Sequence, residues 1–218
     1  KAQHVAEWDP FDPQTTADFF DPHWMFGRSL TSGFDVVLGN PPYIGESGHK
    51  ELFRRTKDGF LGEFYMGKMD YFYFFFHVAL KHTKPSGCVA FITTNYFMTA
   101  SGARKLRSEI ERVATVERLV NFGELKIFEA ALGQHNLVTI MSKRKAAVFA
   151  KTCETKRVGM ADAETLGAIL SWSDSATEYF DVAQSDLFDG ENRYIRLSYQ
   201  SIRQAGSRLP MSAILDLV

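Results

Sequence analysis

Apolar residues first gather into a pattern at residues 34–39 (FDVVLG), a β-branched run bounded by Gly33 and by Asn40-Pro41-Pro42. An unbroken apolar run of that length predicts a strand buried on both faces, as in a parallel sheet. Residues 45–67 are studded with Gly and charge, and predict a mobile loop. Residues 69–84 (MDYFYFFFHVALKHTK) are long enough for a helix, carry Lys and His late, and stop at Pro85-Ser86-Gly87. A second buried strand follows at 88–94, then an amphipathic helix at 101–113 with Leu106, Ile110 and Val113 at helical spacing. Further strands are predicted at 115–122 and 136–142, the second running into Lys143-Arg144-Lys145.

Strand, helix, strand, helix, strand in that order predicts an open α/β sheet with right-handed crossovers. Only 13 residues join the last two strands, with no convincing helix between them, which favours an antiparallel hairpin closing the sheet edge. Ligands of such sheets sit beyond the carboxyl ends of the strands. Here those ends are Asn40-Pro41-Pro42-Tyr43, Asn95-Tyr96-Phe97 and Phe122-Gly123. The flanks read differently. Residues 1–33 are a loop-rich lead-in with repeated Asp-Pro steps, which disfavour helix. Residues 34–150 form the patterned unit, and 151–218 read as a looser connector with one helix at 162–170. The apolar stretch 211–218 ends without a turn or cap, so the chain reads as an interior piece of a longer protein.

Composition narrows the class. With 45% hydrophobic and 23% charged residues among 218, disorder, collagen and coiled coil are excluded. No apolar run approaches the roughly 18 residues that span a bilayer, and no signal peptide opens the chain. Cys88 and Cys153 are too few for a disulfide framework, so the chain reads as soluble and cytoplasmic, with no membrane partner. The 19 Phe are unusual, and demand a large core, an aromatic-lined cleft, or both. Net charge is −1, but residues 41–160 carry nineteen basic and eleven acidic side chains between acidic flanks. A basic middle is compatible with a nucleic-acid-facing surface and equally with scattered solvated charge.

Chemistry concentrates at Asn40-Pro41-Pro42-Tyr43. Two prolines fix the turn and remove two backbone donors, leaving carbonyls free to accept. The Asn side chain adds an acceptor and Tyr43 a flat ring, a set that suits a planar amino group. Such an amine is a poor nucleophile because its lone pair is delocalised. Accepting both its protons favours a pyramidal nitrogen and frees that pair, which stabilises the transition state over the ground state. As a bare tetrapeptide the same residues could simply end a strand. No other chemistry competes: the six His have no i,i+4 pair and no Cys at metal spacing, so no metal is expected. Glu124-Leu125-Lys126 and Glu154-Thr155-Lys156 match the E-x-K of nucleases without a Pro-Asp strand before them.

FDVVLGNPPYI resembles the catalytic motif of the amino-methyltransferases. With MDYFYFFFHVALKHTKPSG, GCVAFITTNYF and VERLVNFGELKIFEAALGQHNLVTIMSKRK in the family's order, the chain resembles adenine-N6 DNA methyltransferase domains. These belong to fused restriction-modification and phage-defence enzymes, and the likeness covers residues 34–145. It implies the C-terminal part of a Rossmann-like class I methyltransferase sheet, with S-adenosylmethionine as cofactor and duplex DNA as partner. By resemblance Asn40, Pro41 and Pro42 hold the adenine amine, Tyr43 and Phe128 stack on the two faces of a flipped base, and Asn40 and Pro42 touch the cofactor. Asp70 and Tyr71 are expected to shape the base or cofactor pocket, and Lys50, Arg54, Arg55, Lys57 and Lys68 to meet phosphates.

The chain departs from the family pattern too. G-x-G occurs nowhere, so the Gly-rich cofactor turn is missing and only a partial site is expected. Without a preceding half-sheet, an exposed strand edge and self-association of the piece are expected. Relatives that modify protein glutamine or RNA share the turn, and a non-catalytic DNA-binding or assembly module would share the sheet.

Overall fold

A computed structural model describes residues 2–7, 24, 32–129, 135–143 and 147–199. Six strands form one mixed sheet in the order β1-β2-β5-β3-β6-β8. They are β1 (Phe34–Gly39), β2 (Thr83–Thr94), β3 (Thr115–Asn121), β5 (Asn136–Ser142), β6 (Phe149–Thr155) and β8 (Thr177–Ala183). Two small ladders flank it: β4 (Leu125–Lys126) beside β7 (Gly159–Met160), and β9 (Phe188–Asp189) beside β10 (Tyr194–Ile195). The helices are α1 (Ala2–Glu7), α2 (Lys50–Asp58), α3 (Phe72–His82), α4 (Arg104–Val113), α5 (Ala163–Leu170) and α6 (Gln184–Leu187).

Strands β1 and β2 pair in parallel, as do β3 and β6, while β5 lies antiparallel between β2 and β3. The expected β3–β5 hairpin is present. It does not close the sheet, because β6 and β8 extend it past β3. The boundary expected at residue 150 therefore falls inside β6. Polar residues hid these strands: Lys151 pairs with Asp181, and buried Thr152 with Phe180.

Alternate residues of each strand serve two layers. On one face α3 and α4 deliver Phe72, Phe76, Leu106 and Ile110 against Phe91, Leu137 and Leu119. Much of the aromatic load is spent here: Phe53, Phe72, Phe74, Phe76, Phe91 and Phe97 are all buried. On the other face Ile169 of α5 packs with Val120, Phe122 and Cys153, and burial pushes the Cys153 thiol up to about 12. That second layer does not reach β1. Val37 joins the core, but Val36 and Leu38 are 55% and 74% exposed. The expectation of a strand buried on both faces fails, since among the described residues no element covers that side of the sheet's end strand.

Three local readings change as well. Residues 45–67 are not a loop: they contain α2, whose Phe53 is buried, and a 3-10 turn at Gly62–Phe64. Only Leu52 and Phe53 among nine residues mark that helix as amphipathic. Helix α3 hands over directly to β2 at Thr83, so Pro85-Ser86-Gly87 lies within the strand, opposite a register shift between Phe34 and Val36. Within the lead-in, residues 2–7 are helical, and the Asp-Pro steps lie outside the described residues. Helix α5 appears where expected, its N-terminus capped by Asp162, which accepts from the Thr165 amide at 2.7 Å.

One buried cation locks distant segments. Arg107 of α4 donates to the carbonyls of Phe97, Ala100 and Asn192 at 2.7, 2.7 and 2.8 Å. Among the described residues no carboxylate faces it, and burial draws its pKa down.

Candidate functional site

Strands β1, β2, β3 and β6 run one way, so their carboxyl ends gather at one edge. Antiparallel β5 brings its first residue, Asn136, to that same edge, paired with Thr94. Four asparagines thus converge: Asn40 after β1, Asn95 after β2, Asn121 ending β3 and Asn136 opening β5.

Within the Asn40-Pro41-Pro42-Tyr43 turn, Pro41 is buried while Asn40 and Pro42 are exposed. Tyr43 is half-buried, its ring edge-on to Phe72 with centroids 6.0 Å apart. Its hydroxyl lies 2.6 Å from Asn40 Oδ1 and 3.1 Å from the Ile92 carbonyl. Burial raises the phenol's pKa, the Asn136 side chain draws it partway back, and the Asp70 carboxylate adds to the rise. The phenol is therefore a neutral donor at physiological pH.

Asp70 sits just before α3 and accepts from the Ile44 and Phe72 amides at 3.1 and 3.3 Å. The Tyr71 amide donates to the Ile44 carbonyl at 2.8 Å. These bonds hold the chain leaving the turn, so Asp70 fixes the backbone next to Tyr43. Desolvation raises its pKa against those backbone donors. Tyr71 points elsewhere: its ring packs edge-on with Phe53 and Phe74 in the core.

Phe128 is 36% exposed just past β4 and makes no ring contact among the described residues. The structure does not bring it against Tyr43. Of the five cations expected to face phosphates, Arg54 and Arg55 share the Glu51 carboxylate, which holds Glu51 down at about 2. Lys57 lies 5.4 Å above the Tyr65 ring. Lys50 and Lys68 line a hollow of about 560 Å³ beside Gly45 and Glu46, next to the turn.

Side-chain geometry adds a second polar group that no sequence motif marks. Asn95 Nδ2 donates to Asn121 Oδ1, and Asn121 Nδ2 donates to Glu154 Oε1, each at 3.0 Å. The N-Y-F after the second strand hinted at Asn95; Asn121 carried no signal, and Glu154 stood out only in an E-x-K match to nucleases.

On the outer side of β1, Gly39, Asn40, Pro41 and Pro42 line an apolar groove of about 390 Å³ with Phe75 and Phe91. This groove fits the reacting end of a methyl donor. No acid stands in its lining for a ribose, so the fit is partial.

The family described as Eco57I restriction-modification methylase matches residues 2–128. Type II methyltransferase M.HincII of Haemophilus influenzae is 31% identical over 97 residues, 44% of this chain and 19% of the relative. The type II restriction enzyme and methyltransferase RM.Eco57I of Escherichia coli is 24% identical over 98 residues, 44% of this chain and 10% of the relative. The aligned part spans a fifth or less of those proteins. Among solved structures, the type IIG restriction endonuclease BpuSI superposes with a TM-score of 0.51 at 15% identity, covering 77% of this chain and 21% of that one. The DrdV–DNA complex gives 0.52 at 16% identity, covering 78% and 19%. At such identities the superpositions speak for the fold. The sequence match extends over more than half of the chain, which belongs to the Eco57I restriction-modification methylase family.

Proposed function

We propose that the protein carrying this chain is a restriction-modification DNA methyltransferase that moves a methyl group from S-adenosylmethionine to adenine N6 in duplex DNA. One observation carries the reading. At the carboxyl end of β1 an exposed Asn40 side-chain oxygen already accepts a hydrogen bond, from Tyr43 at 2.6 Å, beside two prolines that donate none. An acceptor so placed can take an amine N–H in the same way.

The cofactor supplies an electrophilic methyl on a sulfonium; Asn40 and Pro42 border the groove where that end would lie. Asn40 Oδ1 accepts one amine proton and the adjoining proline carbonyl the other, favouring a tetrahedral nitrogen with its lone pair free. A base must leave the duplex to reach this edge, and it loses a few kcal/mol of stacking and pairing. Tyr43 and Phe128 are the rings that would replace that stacking. The Lys50 and Lys68 hollow supports a phosphate backbone as partner, since paired Arg54 and Arg55 have less charge to offer.

Replacing Asn40 in the full-length protein tests it, with methyl transfer to DNA as the readout. Asn40→Ala loses about a hundredfold or more in rate, as when one oxyanion donor is removed. Activity within about threefold of wild type overturns the assignment.

A further inference from the structure

Tyr43 has one hydroxyl proton and two acceptors within reach, Asn40 Oδ1 at 2.6 Å and the Ile92 carbonyl at 3.1 Å. It cannot donate to both at once. The shorter contact goes to Asn40, the atom assigned above to the target amine. Against the same phenol lies Asn136, which is 1% exposed. Its Nδ2 makes no hydrogen bond, and neither does the hydroxyl of Thr94, its cross-strand partner. A buried amide N–H without an acceptor is uncommon and costly. It is close enough to influence the phenol, yet makes no hydrogen bond to it.

We propose that the Tyr43 hydroxyl caps the Asn40 acceptor until a substrate amine displaces it, and that Asn136 is the positioning residue that holds the displaced phenol. The inference rests on the reading of Asn40 as the amine's acceptor. When the amine N–H takes Asn40 Oδ1, the phenol turns its proton to the Ile92 carbonyl. That rotation presents an oxygen lone pair, and the Asn136 N–H donates to it. One phenol–Asn40 bond is lost; amine–Asn40, phenol–Ile92 and Asn136–phenol bonds are made. The orphaned donor is satisfied only in the substrate-bound arrangement, so Asn136 distinguishes the two states, as any group that shifts their balance must. No bond to carbon changes and no proton leaves the site. The cap also keeps the acceptor from holding water.

A double-mutant cycle in the full-length enzyme tests this, using duplex DNA with 2-aminopurine at the target position alongside steady-state methylation. Tyr43→Phe keeps the ring but removes the cap together with the two phenol bonds made on binding, a net loss of one hydrogen bond in the bound arrangement, and raises KM by about threefold to tenfold. Asn136→Ala raises KM by a similar factor, and that effect disappears in the Tyr43→Phe background. Equal effects of Asn136→Ala in both backgrounds make Asn136 a structural residue of the sheet end and overturn the proposal. An unchanged KM in Tyr43→Phe overturns it as well, and decides the matter even if Asn136→Ala fails to fold. Asn40→Ala, run in parallel, separates the two levels. If it is fully active, the underlying reading fails; if it is inactive while the cycle shows no coupling, only this inference does.

Discussion

Asn40 and Asn121 stand at the carboxyl ends of two strands running the same way, yet they are opposite in what they have left to offer. Asn121 is buried and fully engaged: its Nδ2 serves Glu154, and its Oδ1 receives both Asn95 and the Gly123 amide. Asn40 is exposed, and its oxygen meets one phenol that has another acceptor to turn to. Position at the sheet's carboxyl edge is common to both. Availability separates them: a committed amide organises the edge, and an exchangeable one can grip a substrate.

That contrast predicts effects that separate cleanly by observable. Asn40→Ala has the largest, raising the methyl-transfer barrier by about 3–4 kcal/mol while leaving the melting temperature nearly unchanged. Asn121→Ala behaves the other way. It strands Asn95, Glu154 and an amide, so denaturant unfolding reports a loss of about 1–3 kcal/mol. A substantial melting shift in Asn40→Ala, or none in Asn121→Ala, breaks the comparison. Next come the rings. Tyr43→Ala and Phe128→Ala each weaken capture of an extruded base by about 1–3 kcal/mol, read as a smaller 2-aminopurine fluorescence change. For Phe128, which has no ring partner among the described residues, stability should not move; a signal unchanged in Phe128→Ala removes it from the site.

The smallest effect concerns a committed acid at the β6 end of the same edge, four strands away from β1. The Arg157 guanidinium and the Thr177 hydroxyl hold the Asp174 carboxyl below the usual range. With the folded value lowered, the unfolded chain takes up the proton first. The stabilisation is therefore present above about pH 4 and lost as pH falls below it. Asp174→Asn should flatten the acid limb of the melting temperature against pH, with no change in methylation. Cofactor affinity sharpens the picture from another side: with no G-x-G in the sequence, titration calorimetry of this chain alone with S-adenosylmethionine should show no micromolar binding.

How much of this could be read from residues alone depended on whether local pattern or side-chain geometry decided it. β1, β5 and α5 are legible because an apolar run, a turn or an Asp cap marks each within a few residues. α2 is not, because two apolar side chains in nine residues cannot outvote the surrounding Gly and charge. β6 and β8 escape because buried threonines and cross-strand Lys–Asp pairing replace the apolar alternation that betrays a strand. At the site, the N-P-P-Y turn is legible by its own chemistry and placement. That Tyr43 reaches back to Asn40, and that Asn136 waits unpaired beside it, depends on three segments meeting. No single stretch of sequence carries it. Tyr71 shows the reverse error, a residue in a suggestive motif whose ring the core claims.

Arg107 sets a minimum length on the chain. Its guanidinium lies among carbonyls, and the Asn192 oxygen that completes the set is 85 residues downstream. During synthesis that charge waits on the order of 10 s, at ribosomal speeds, before its final acceptor emerges. Until then the turn at Phe97 and Ala100 is held by an incompletely satisfied cation, and α4 has reason to stay solvated. A polypeptide released or cleaved before Asn192 would keep every residue of the N-P-P-Y edge and still lack the clasp that closes the layer behind it. Proteolytic trimming from the C-terminal side should therefore become destabilising once it removes β10, whose Ile195 is in the core, and abruptly more so once it removes Asn192.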